Sequence, residues 1–517
     1  MPERKRVAVL ADSDTRWKWG ALTARRLVPD HQLTGYLLRG RATPTARQLG
    51  EVGVRADRLS EVTCAEFLAE IERERYDVIV LALVGGAVQA VLHGARALWP
   101  APAKRPVLVT GYVGVVYEKL ADGLLLRHGA DLVLANSRHD AERFRAVYEG
   151  VGADAGAVTE TALPFLGGAP YEPVGSRAHT VVFAVQPSVP DSRADRAYLL
   201  ERAARHARLH PEREVLIKLR SKPGEHTTHL EEQPYQRLAE RIPGGLPANC
   251  RLVYGNMGEV LDGTDLLVTV SSTAALESLH RSIPTAVLTD LGIREALGNH
   301  HFLGSGCLAS WDQLDAGLLP QGDAAWLAAQ GVRVPAAAGA AAHGPGNPLP
   351  AASGPGPEAH GPATPAPTAP GHAARRPAGS GPATPAGTAR ASGRPGPADA
   401  TPAAHSAAAP GPSAEPVAGG DAHAVARAKV AGMVVAARLP SPAPYYTLTT
   451  APGYLPGILA RHHLAPDGTP LPGAVRATAG ESRLRRRLRA HLREAARGAY
   501  RHGVQRVAPV IRRMGEL

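Results

Sequence analysis

The chain has 517 residues, enough for two or three domains that each bury a core of their own. Hydrophobic residues make up 44% of it but aromatics only 4%, and 55 glycines with 46 prolines leave a sizeable share as linker. A formal net charge of +11 favours an anionic partner, yet it gathers between Arg483 and Arg513, where Glu494 is the single acid, so it says little about the rest. Cys64, Cys250 and Cys307 show no metal-type spacing and argue against a disulfide framework. The apolar run after the basic N-terminus is too short for a signal peptide, and no stretch approaches a membrane span. A cytoplasmic protein is expected.

In chain order, Val7–Leu10, Leu33–Leu38, Val78–Val84, Val107–Thr110 and Leu132–Ala135 read as buried strands separated by amphipathic helices. Strands apolar on both faces with helices between them predict a parallel, doubly wound sheet. This lobe covers residues 1–165. A Gly- and Pro-rich linker follows Gly167, and the pattern restarts with strands at Thr180–Val185, Val215–Leu219, Arg251–Tyr254, Leu266–Val270 and Ala286–Thr289. The second lobe covers 179–330. Residues 335–422 are dominated by Ala, Pro, Gly, Ser and Thr and are expected to be disordered. A basic helical tail is expected over 423–517, with helical turns at Ala424–Arg438 and a basic helix at Glu481–Val510. That last helix either docks on the core or contacts an anionic membrane surface; nucleic acid is not expected.

The strongest constellation runs from Asp265 through Ser271, Ser272 and Thr273 to Glu277. A buried strand enters small hydroxyl residues and a helix starts at once, with Ser271 or Ser272 placed as N-cap. Free N–H groups at such a turn suit a diphosphate, and Glu277, one turn on, suits ribose hydroxyls. An ordinary capped helix explains the local pattern equally well. A second feature is the strand ending Lys218-Leu-Arg220-Ser-Lys222, whose cations are well placed for phosphate. Lys218 is the least certain of the three because it lies within the strand.

Together these elements resemble the second lobe of GT-B glycosyltransferases. They are similar in style to polysialyltransferase and CDP-glycerol glycerophosphotransferase-like enzymes, and the chain is similar to a family of uncharacterised actinobacterial glycosyltransferases. The resemblance covers residues 4 to about 312. It implies two Rossmann-like lobes facing a cleft, an acceptor side in the first and a nucleotide-donor side in the second. The implied reaction moves a glycosyl or polyol-phosphate-like group from a nucleotide-activated donor to a hydroxyl acceptor, such as a lipid-linked or cell-envelope glycan. A nucleotide-sugar 2-epimerase or an inactive sugar-nucleotide-binding protein is the alternative.

In the first lobe, the loop after strand one carries Asp12 and Asp14 but no GxGxxG fingerprint. The GT-B resemblance turns that loop toward the cleft, where either acid suits a general base. Asp14 equally suits the role of helix N-cap, which favours Asp12. Lys18 is a candidate for the leaving phosphate; Trp17 and Trp19 suit either sugar stacking or packing. Gly111 and Tyr112, in a glycine-containing loop, and Asn299 and His301, in the loop after Thr289, are weaker candidates for substrate contact. Adjacent His300 and His301 have no partner cluster, so neither a metal nor a cofactor is expected.

Overall fold

The computed structural model describes residues 4–115, 120–222, 225, 231, 233–332 and 421–475. Two parallel sheets form where the apolar runs lie. The first contains β1 (Lys5–Ala11), β2 (His31–Leu38), β3 (Arg58–Val62), β4 (Val78–Ala82), β5 (Val107–Gly111), β6 (Leu132–Ala135) and β7 (Val158–Glu160), in the order β3-β2-β1-β4-β5-β6-β7. Val7 to Ala11 and Val78 to Ala82 are almost fully buried, because helices cover both faces. One face packs Leu10, Ile79 and Leu108 with Phe67 and Phe144; the other packs Val9, Val80 and Val109 with Trp17 and Trp19.

The second sheet contains β8 (His179–Ala184), β9 (Arg213–Lys218), β10 (Cys250–Val253), β11 (Leu266–Thr269), β12 (Thr285–Leu288) and β13 (Leu308–Ala309), in the order β10-β9-β8-β11-β12-β13. Each sheet therefore winds outward in both directions from its first strand. Its order reverses between β1 and β4 in one lobe and between β8 and β11 in the other. Crevices open at such switch points, at the carboxyl ends of the strands. The linker between the lobes is held by Arg281, whose Nε donates to Gly167 O and whose carbonyl accepts from Tyr171 N.

β3, β7 and β13 were not expected. β3 reads RLSEV with only Val62 buried, and β7 and β13 have three and two residues, so none shows a two-faced apolar run. The helix Asp14–Leu27 is capped by Ser13, which accepts from Arg16 N, so Asp14 is its first residue and not its cap.

Residues 421–475 do not form a separate tail. The helix Ala424–Val435 lies on Asp14–Leu27 and the edge of the first sheet, burying Ala426 and Val430, and Arg427 Nε donates to Arg26 O at 3.0 Å. The helix Leu455–Arg461 lies on the helix Gly85–Leu98 and buries Ile458 and Leu459. Arg105 bonds both the Asp131 carboxylate and Pro440 O, tying the returning segment to β5 and β6. The low-complexity stretch to residue 420 and the basic helix at Glu481–Val510 lie outside the described residues. No helix among the described residues is long and apolar enough to cross a membrane.

Candidate active site

The turn after β11 sits at the second lobe's switch point, and its neighbour is the loop after β8. Gln186 in that loop accepts from Ser271 N at 3.0 Å and donates to Ser271 Oγ at 3.2 Å. Ser271 Oγ also donates to Leu297 O at 2.5 Å. Ser271 is therefore a buried anchor of the turn. Ser272 N is held by Thr269 Oγ1, and Ser272 Oγ accepts from Ala274 N, which leaves its own O–H to donate. The helix Ala274–His280 has only seven residues, and Thr273, in the αR region, occupies the cap position without a side-chain bond. The expected serine N-cap is thus displaced by one or two residues. Thr273 N–H and Oγ1 make no hydrogen bond among the described residues.

β9 delivers its cations to the same crevice. Lys218 is 9% exposed, donates from Nζ to Leu219 O at 2.7 Å, and meets no carboxylate at salt-bridge distance among the described residues. Burial pushes its ammonium down to about 8. Arg220 reaches across to the first lobe, donating to Asp14 Oδ1 at 2.8 Å and to Thr15 Oγ1. Lys18 Nζ, also from the first lobe, lies 3.3 Å from Glu277 Oε2 and 4.9 Å from the centre of the Phe165 ring. Further along the cleft, Arg47 and Thr45 bond Glu225, and Asn256 Nδ2 donates to Glu51 O at 2.9 Å. A Cβ on Gly114 would collide with Thr273 Oγ1, so this glycine lets the first lobe approach the turn.

These side chains enclose a cavity of 340 Å³ lined by Asp14, Lys18, Lys218, Arg220, Ser271–Thr273 and Glu277, among others. A cavity with two lysines, an arginine and short hydroxyl side chains can bind a polyanion, and a carboxylate at its edge can accept from hydroxyls. Gln186, Asn256 and Phe165 also line it and were not singled out in the sequence. Gln186 had a usable signal, since it follows the first strand of the second lobe, where a switch-point loop must lie.

The remaining candidates fall elsewhere. Asp12 lies at the first lobe's switch point, where Oδ1 accepts from Arg16 at 3.1 Å and Oδ2 from Val84 N at 2.9 Å. Lys222 is exposed, with its ammonium 5.6 Å from the Tyr254 ring centre. Gly111 is explained by packing, because a Cβ there would strike Leu134 O and Trp19 at 2.9 Å. Tyr112 lines a second cavity, on the first lobe, together with Arg16 and Arg127. Asn299 spends its amide on Leu288 O, Gly292 O and Arg294 N and so shapes its own loop. His301 is half-buried against Phe302 and Trp326, and the loss of water around its ring pushes it down to about 4. Trp17 and Trp19, each 1% exposed, are core residues.

Among the described residues, one group has metal-like spacing: His206, His210 and Asp315. His206 bonds Asp315 through Nδ1 and Arg213 through Nε2, and Arg202 bonds Asp315 as well. Both nitrogens of His206 are taken and the surroundings are cationic, so this group reads as an ion-pair network.

Two Rossmann-like lobes with a cationic cavity at the facing strand ends define a GT-B-type fold. The chain belongs to the family described as "Putative glycosyltransferase (DUF6716)", whose model matches residues 7–343. It is accordingly an enzyme of the glycosyltransferase class. No curated protein matches the chain. Among solved structures it is similar to a UDP-N-acetylglucosamine 2-epimerase from Rickettsia bellii (TM-score 0.43, 11% identity, 62% of this chain and 89% of that one). It is also similar to the S. aureus MnaA–UDP co-structure (0.42, 13%, 64% and 91%) and to a UDP-glucosyltransferase from Polygonum tinctorium (0.40, 11%, 59% and 84%).

Proposed function

We propose that the chain transfers a glycosyl group from a nucleotide-diphosphate donor, held in the 340 Å³ cleft cavity, to a hydroxyl acceptor on the first lobe. The observation that carries this is the convergence of Lys218, Arg220, Ser272, Thr273 and Glu277 with Lys18 at the second lobe's switch point. Lys218 is a buried cation with no acid at salt-bridge distance among the described residues, and a diphosphate supplies that missing charge. Arg220 and Lys18 add charge once they exchange Asp14 and Glu277 for phosphate. Ser272 O–H and Thr273 N–H donate to the same oxygens, and the released Glu277 accepts from ribose hydroxyls.

In this reading Asp12 is the base. Each of its oxygens accepts one bond and keeps a lone pair for the acceptor's hydroxyl proton. The acceptor oxygen bonds to the anomeric carbon, the carbon–oxygen bond to the diphosphate breaks, and that electron pair leaves on phosphate. The cations stabilise the leaving charge. Incubating the full-length protein with nucleotide-sugars, with and without glycan acceptors, tests this. Acceptor-dependent release of nucleoside diphosphate is expected. Interconversion of the donor without any acceptor would assign an epimerase instead.

A further inference from the structure

A larger cavity, 660 Å³, opens at the first lobe's own switch point, beside the loops that follow β1, β4 and β5. Its wall includes Arg16, Tyr112, Asp122 and Arg127, and it is completed by Tyr446 and Tyr454 from the segment that returns after residue 420. We propose that this cavity binds the acceptor, and that the acceptor moiety bound there is an uncharged sugar ring. The proposal rests on the transferase reading above and deepens it.

The choice of an uncharged ligand follows from the fate of the charges. Arg127 is buried and spends its donors on carbonyls: Nε on Gly111 O, one terminal nitrogen on Gly123 O and the other on Leu83 O. Its plane also stacks 4.0 Å from the centre of the Tyr112 ring. Arg16 is paired with Asp12. An anionic ligand could reach Arg127 only by unpairing three backbone carbonyls, and Arg16 only by taking it from Asp12, the expected base, whereas Lys18 and Arg220 in the donor cleft give up carboxylates that are not the expected base. Asp122 is the reverse case: it is exposed and its carboxylate makes no hydrogen bond among the described residues. A free carboxylate selects a ligand that donates hydrogen bonds and repels one that carries negative charge.

The tyrosines supply the other half of sugar recognition. Tyr446 and Tyr454 lie edge to face at 6.5 Å, and Tyr454 is 50% exposed, an aromatic surface left open where a pyranose can stack. The Asp122 charge lies close enough, after burial, to push the Tyr446 hydroxyl up, which places acid and ring at one site. Asp12 joins the wall residues Arg16 and Val84, so a hydroxyl of a ring bound here is brought to the expected base.

The test uses the full-length chain, with ligand-observed NMR on uncharged disaccharides (cellobiose, maltose, N,N′-diacetylchitobiose) and their uronic-acid counterparts. At least one uncharged disaccharide is expected to bind, and no uronate to bind more tightly. Asp122→Asn and Tyr454→Ala, both at exposed positions, are each expected to weaken that binding about tenfold, the loss of one stacking or charge-assisted contact. Nucleoside diphosphate affinity, measured on the same samples, is expected to stay unchanged and reports that the variants are folded. Absence of binding by every uncharged sugar, a preference for the uronates, or equal binding by wild type and both variants would overturn the assignment of this cavity while leaving the donor site standing. Failure of every nucleotide to bind would instead remove the transferase reading.

Discussion

Lys18 Nζ of the first lobe lies 3.3 Å from Glu277 Oε2 of the second, with both side chains largely withdrawn from water. The pair bridges the cleft through two groups that a donor would need. Glu277→Ala is expected to leave the fold intact and weaken nucleoside diphosphate binding about tenfold or more, through the ribose contacts it loses. Calorimetric titration of both proteins checks this. Equal affinities would remove Glu277 from the site.

Arg220 and Asp14 make the second bridge, at 2.8 Å. Because the phosphate must compete with Asp14 for Arg220, the two variants should move in opposite directions. Arg220→Ala is expected to weaken nucleoside diphosphate binding, and Asp14→Asn to tighten it a few-fold. Weaker binding in both variants would mean that Asp14 itself serves the donor.

Asp12 and Asp14 separate kinetically as well. Asp12→Asn is expected to lower kcat about a hundredfold or more with little change in donor affinity, the scale of a lost general base. A comparable kcat loss in Asp14→Asn, with Asp12→Asn active, would exchange their roles.

Lys218 gives a pH signature. Its ammonium is pushed down to about 8 by burial, against about 10.4 for an unperturbed lysine. Between those values the unfolded chain holds a proton that the native state has lost, so this group's contribution to stability rises with pH across the window. Below 8 its burial cost is fully present. Lys218→Met is therefore expected to melt at a higher temperature than wild type at pH 7, with the gap closing toward pH 10. A bound diphosphate restores the charged form, so donor affinity should fall as pH rises through 8, with proton uptake on binding. Affinity independent of pH across that range would separate Lys218 from the phosphates.

The returning segment stabilises the first lobe through residues such as Val430, 1% exposed beneath the helix Ala424–Val435. Val430→Asp would bury an unpaired charge and is expected to cost about 3 kcal/mol or more. Thermal denaturation reads it as a lowered Tm. An unchanged Tm would mean that the helix does not dock there in solution.

The two lobes were legible because their central strands are apolar on both faces, as in Val7–Ala11 and Val78–Ala82, a pattern that few other structures produce. The edge strand Arg58–Val62 was not, since solvent lets it carry Arg58, Ser60 and Glu61. At the site, chain order was enough to place Ser271–Thr273 and Lys218 near a switch point, because both lie at the carboxyl end of a buried strand of the second lobe, where an open parallel sheet forms its crevice. The roles within the motif were hidden. Whether Ser271 is an anchor and Thr273 an open donor depends on Gln186 and Leu297, residues 85 and 26 positions away. The surroundings of Asn299 and His301 were hidden in the same way: Asn299 bonds Leu288 O and Gly292 O, and His301 packs against Phe302 and Trp326, contacts that no local pattern reveals.

The proposed transfer depends above all on a nucleotide-activated donor binding in the cleft at the second lobe's switch point. Titrating full-length protein, wild type and Lys218→Ala, with UDP, GDP, CDP, CMP and dTDP tests it most directly. Binding of at least one nucleoside diphosphate at one site per chain is expected, weakened about tenfold or more when the buried cation is removed. No binding by any of the five, or equal binding by both proteins, would contradict it.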